Sequence, residues 1–103
     1  MRRRMFRHYN REDFAAAETD ADVLLKMYPM SWVAYEVKGR AAAVRGDLQQ
    51  AVSAYERARR LLTQGEDRLW LAQAPQNKVK EALELLTDRI QSIGKKVAIA
   101  DKH

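Results

Sequence analysis

The 103-residue chain contains no cysteine, which excludes disulfides, thiolate metal sites and thiol nucleophiles. It has only two histidines, His8 and His103, at opposite ends, and neither has a second histidine at a helical metal-ligand spacing. No glycine-rich phosphate loop occurs, and no serine sits in a strand-turn-helix elbow. Asp20 and Asp22 flank Ala21, so on a helix they point in different directions and form no carboxylate dyad. These absences argue against an enzyme, a cofactor and a metal. No run reaches the ~20 apolar residues that span a membrane. The opening Arg3-Arg4-Met5-Phe6 has the look of a twin-arginine export signal, but Arg7-His8-Tyr9-Asn10-Arg11 stands where an apolar segment should follow. The expectation is a cytoplasmic chain without a membrane partner.

Acidic residues are missing from the first eleven positions, which carry Arg2, Arg3, Arg4, Arg7 and Arg11. These five arginines account for the whole net charge of +5, and residues 12–103 balance. The basic excess is therefore an arm, and a broad nucleic-acid-binding face is not indicated for the body. Within the arm, arginines alternate with Phe6 and Tyr9, side chains that can stack on bases, so binding of nucleic acid through the arm is one open reading.

Proline and glycine are also scarce, at two and four, while alanine, leucine, glutamate, arginine and glutamine dominate. This composition forms helices. Neither alternating β-branched runs nor hairpin dipeptides occur, and the fold class is all-α. Asp13 is placed to cap a helix over about 14–27 that Pro29 closes off. Ser31 caps the next, to about Arg45, where Gly46 turns the chain, and Asp47 caps a third to about Leu62, ended by Gly65. Residues 2–10 read as a short helix with Met5, Phe6 and Tyr9 on one side, Glu66–Ala74 as another stopped near Pro75. Asn77 caps a last helix to about Ile93, followed by Gly94 and a polar tail. Six helices with short loops pack as antiparallel neighbours.

A shift of 34 residues lays Asp13-Phe14-Ala15-Ala16-Ala17 on Asp47-Leu48-Gln49-Gln50-Ala51, so that the two capping aspartates coincide. Residues 32–65 resemble a tetratricopeptide repeat, a helix-turn-helix unit of about 34 residues, at Gly39, the Gly46-Asp47 turn, Ala51, Tyr55 and Ala58. Small residues there allow close helix approach, and Tyr55 fills the space beside them. The unit departs from the family pattern at Lys38, Ala42 and Thr63, and Tyr35 stands where a tryptophan is usual. The resemblance divides one domain into a partial repeat over about 1–31, a repeat over 32–65, a degenerate or capping unit over 66–95 and a polar tail over 96–103.

That resemblance implies antiparallel helical hairpins stacked as a short right-handed α-solenoid of about six helices, whose concave groove holds a peptide or helix of a partner protein. The groove-facing positions fall on Val33, Glu36, Val37, Arg40, Ala43 and Val44, a mostly apolar lining. Trp70 reads either as an exposed partner anchor or as a core residue closing on the last helix. The implied function is a non-enzymatic adaptor, scaffold or chaperone-like module. The alternatives are nucleic-acid binding through the arginine arm and a self-assembling structural repeat that forms homo-oligomers.

Overall fold

The computed structural model describes residues 14–101, excepting the side chains of 97–101, and all its regular elements are helices. They are α1 (Phe14–Met27), α2 (Trp32–Arg45), α3 (Leu48–Thr63), α4 (Arg68–Gln73) and α5 (Gln76–Asp101). The helix expected over residues 2–10 and the Asp13 cap lie outside the described residues.

Local chemistry sets each boundary. Ser31 accepts the Ala34 N–H on its side-chain oxygen at 3.3 Å and so starts α2. Gly46 ends it in the left-handed region at φ 85, where its N–H meets the carbonyls of Ala42 and Ala43, and the Asp47 N–H returns to Ala42 at 2.9 Å. Asp47 then caps α3 by accepting from Gln50 N–H at 3.2 Å. The same turn recurs at Gly65, φ 69, with Glu66 N–H returning to the Leu61 carbonyl at 2.9 Å.

Burial explains the order of packing. Helix α1 buries Ala17, Ala21 and Leu24, and α3 buries Ala51, Tyr55, Ala58, Leu61 and Leu62, in each case a single stripe at helical spacing. Helix α2 differs, because Trp32, Val33, Ala34, Glu36, Val37, Gly39, Ala41 and Ala42 are buried on most of its circumference. A helix enclosed on several sides is a central one, and α2 indeed lies against both α1 and α3. Helix α5 packs on α3 and adds Ala82, Leu86 and Ile93 to the same core. The fully buried Val37, Leu61 and Leu86 each contribute about 1.5–3 kcal/mol.

One carboxylate ties the loops together. Asp67, 2% exposed, caps α4 by accepting Trp70 N–H at 3.3 Å and accepts the Tyr28 hydroxyl on the same oxygen at 2.9 Å. Its other oxygen accepts Trp32 N–H at 2.9 Å, so it serves the first turn of α2 as well. The Tyr28 oxygen in turn accepts Leu69 N–H at 3.3 Å.

Two sequence expectations are corrected. The fourth helix is Arg68–Gln73, shorter than Glu66–Ala74, because Asp67 caps it and leaves Glu66 in the turn. The last helix does not stop near Ile93 before a polar tail. It runs from Gln76 through Gly94 to Asp101, since Gly94 lacks the positive φ of a terminating glycine and is followed by helix-forming lysines and alanines.

The two interior helix glycines have opposite roles. A Cβ at Gly39 would lie 2.6 Å from Tyr55 Cε1, whereas one at Gly94 meets nothing within 4 Å. Gly39→Ala is therefore expected to destabilise the fold by about 1–3 kcal/mol through overpacking, and Gly94→Ala to stabilise it by about 0.5–1 kcal/mol through helix propensity. Urea denaturation of the two variants checks both signs, and equal shifts in one direction would contradict the Gly39–Tyr55 contact.

Candidate functional site

The predicted groove residues do not form one surface. Val33 and Val37 are 6% and 0% exposed and Glu36 is 8% exposed. These three positions are corrected from groove lining to core, because α2 is flanked by α1 and α3 and approached by Arg89 of α5. Arg40 and Ala43 are half-buried, and Val44 is 64% exposed. Trp70 is half-buried and packs edge-on against Trp32, with ring centroids 5.1 Å apart and planes at 78°. It stands by the first turn of α2, while Val44 belongs to the last, a separation of about 18 Å along a helix. The arm of Arg2, Arg3, Arg4, Arg7 and Arg11, like His8 and His103, lies outside the described residues.

Of the predicted set, Arg40, Ala43 and Val44 come together at the C-terminal end of α2. There Phe14 of α1, Arg40 and Val44 of α2, and Arg89, Ile93 and Lys96 of α5 line a cleft of about 380 Å³. Tyr55 and Ser92 also line it. A neighbouring cleft of about 560 Å³ shares Phe14 and Val44 and extends the surface along α1 past Arg45, which is paired with Glu18. A larger recess, about 610 Å³, follows one face of α5 alone, where no second described element brings groups to bear on a common point.

Arg89 organises the cleft wall. Its Nη1 lies 3.5 Å from Glu36 Oε1 and donates to the Tyr55 hydroxyl at 3.4 Å, while its guanidinium stands 5.8 Å from the Tyr55 ring centre. Arg89 thus bridges α5 to α2 and α3. Burial pushes the Tyr55 hydroxyl above its ordinary pKa of 10.0, opposed by Arg89. Burial likewise raises Tyr28, with the Leu69 N–H opposing and Asp67 adding to the shift.

Phe14, Arg89, Ile93 and Lys96 were not singled out by the sequence. A signal did exist for Arg89, which interrupts the apolar stripe of Ala82, Leu86 and Ile93 at the position one turn from Leu86. An arginine inside such a stripe must find partners. Lys96 was concealed by the expectation that the helix ended at Ile93.

The balanced charge of the body is also not what solvent meets. Asp20, Glu36 and Asp67 are buried, whereas every described lysine and arginine side chain is half-buried or exposed. Elsewhere, Arg57 lies over the Tyr35 ring at 5.7 Å and Lys38 pairs with Asp22.

Among the described residues no group of three or more histidine, aspartate or glutamate side chains could hold a metal ion, and no helix is long and apolar enough to cross a membrane. No family model matches the chain, and no curated protein or solved structure matches it significantly.

The tyrosine environment predicts an alkaline limit to stability. A hydroxyl whose folded pKa exceeds its unfolded value contributes stability that is complete below the unfolded value and is lost as pH rises through the folded one. For Tyr28 and Tyr55 the loss begins near pH 10. The Tyr28→Phe/Tyr55→Phe variant, compared by denaturation at stepped pH, is expected to lose less stability than the parent above that point. An unchanged slope would mean that neither hydroxyl is held in its protonated form by the fold.

Proposed function

We propose that the chain is a non-enzymatic protein-binding module of the tetratricopeptide-repeat kind, and that its partner docks at the C-terminal end of α2, between α1 and α5. Two features support the repeat, whose period is about 34 residues. The equivalent residues Ala17 and Ala51 are both 0% exposed. Tyr55 closes on Gly39 within its hairpin, as the resemblance implies. On this reading α1 is the second helix of one unit, α2 and α3 form the next, and α4 with α5 makes an irregular third that caps a short solenoid.

The observation that carries the docking site is Val44. It is a large apolar side chain, 64% exposed, at the junction of two clefts walled by three helices. Surfaces that combine an exposed apolar centre with a polar rim are where proteins meet partners. The corrected groove is shorter than the sequence suggested and admits one or two side chains of a peptide or helix.

A photo-crosslinking amino acid placed at position 44, and separately at Arg57 of α3, which lines neither cleft, tests this in cell lysate. The expected result is one discrete protein crosslinked from position 44 in nuclease-treated lysate and absent from position 57. Equal capture from both positions would overturn the docking site. Crosslinking to nucleic acid, abolished by nuclease or by deletion of residues 1–11, would favour the arginine arm instead.

A further inference from the structure

Helix α5 is the longest element, and among the described elements it packs chiefly on α3. Ala82, Leu86 and Ile93 turn to the core, and the recess of about 610 Å³ lies along another face of the same helix. Two rows of side chains line that recess at the four-residue spacing of neighbours on a helix surface. Val79 and Leu83, both half-buried, make the apolar row. Gln76, Lys80, Glu84 and Asp88, all exposed, make the polar row beside it. On the adjoining strip Lys78 and Glu81 pair with each other at 3.5 Å. Lys80, Glu84 and Asp88 form no ion pair with any described residue.

The order of charges along the polar row is complementary to its own reverse. An antiparallel second copy, centred level with Ala82, sets Lys80 opposite the second copy's Glu84 and Gln76 opposite its Asp88. Two-fold symmetry then repeats both pairs, as an isologous interface requires. The same register drops Leu83 between Val79 and Leu83 of the second copy, one ridge into the facing groove. A parallel copy would set Lys80 against Lys80, and a partner segment of one sign would meet a like charge on the row. We propose that this face of α5 is the two-fold interface of a homodimer. One helix face against another falls short of the ~1,600 Å² of a standard interface, so the dimer is a weak one that forms with concentration. The inference is independent of the docking site at Val44, whose clefts use other residues of α5.

Sedimentation equilibrium of the full chain tests the proposal, with Lys80→Glu and Glu84→Lys as comparisons. Both side chains are exposed, and unchanged circular dichroism and thermal midpoints establish that the variants fold. The parent is expected to rise toward twice the monomer mass as its concentration is raised. Each variant sets like charges across the axis and is expected to dimerise at least tenfold more weakly. An equimolar mixture of the two variants restores both charge pairs across one interface and is expected to recover the dimer. A parent that stays monomeric at millimolar concentration would overturn the homodimer and leave the face to a different protein. Variants that associate as well as the parent, or a mixture no tighter than its components, would place the contact elsewhere and overturn the proposal as well.

Discussion

Asp67 is the constraint on which the arrangement of hairpins rests. Its two carboxylate oxygens take the first-turn N–H groups of α2 and α4, and the hydroxyl of Tyr28 from the end of α1. Negative charge at two helix N-termini is favourable to both. A carboxylate that is 2% exposed is tolerable in the interior only because all three donors are present together. Residues 28, 32 and 67 are thereby held at one point, although Asp67 follows the other two by 39 and 35 positions. With the loop end fixed, α2 is sandwiched between α1 and α3, and its far end is left to form the wall of a cleft.

Much of this architecture was legible from short-range chemistry. Ser31 and Asp47 act as the caps the sequence suggested, Gly46 turns the chain with positive φ, and Gly39 admits Tyr55. The caps and the turn depend on residues within a few positions of one another, and the Gly39–Tyr55 contact was legible only through the spacing that the repeat resemblance supplies. What depends on three-dimensional partners was less visible. The burial of Val33 and Val37 follows from α2 being central, a property of neighbours rather than of its own sequence. Glu36, read as a groove acid, is drawn inward by Arg89, which lies on another helix. Gly94 is a stop signal by residue type, yet it lacks the positive φ of Gly46 and Gly65 and stays helical. Asp67 could have been noticed, since Gly65-Glu66-Asp67 repeats the glycine-then-aspartate turn of Gly46-Asp47 with one residue inserted.

Function follows from which surfaces this packing leaves over. Trp70, read from the sequence as either a partner anchor or a core residue, packs edge-on against Trp32 beside Asp67 and contributes to holding the loop end together. The opposite end of α2 keeps an exposed valine that lines two clefts. In the function proposed, the packed loop end supplies rigidity and the other end of α2 supplies recognition.

The locking of two hairpins into one body through Asp67 is tested most directly by native-state hydrogen exchange on the parent and on Asp67→Asn, which keeps the shape but replaces one acceptor with a donor. Loss of that acceptor is expected to speed exchange by about tenfold or more at Trp32, at Trp70 and at the C-terminal amides of α1 together. Faster exchange confined to the first turn of α4 would contradict the account, reducing Asp67 to the cap of one short helix.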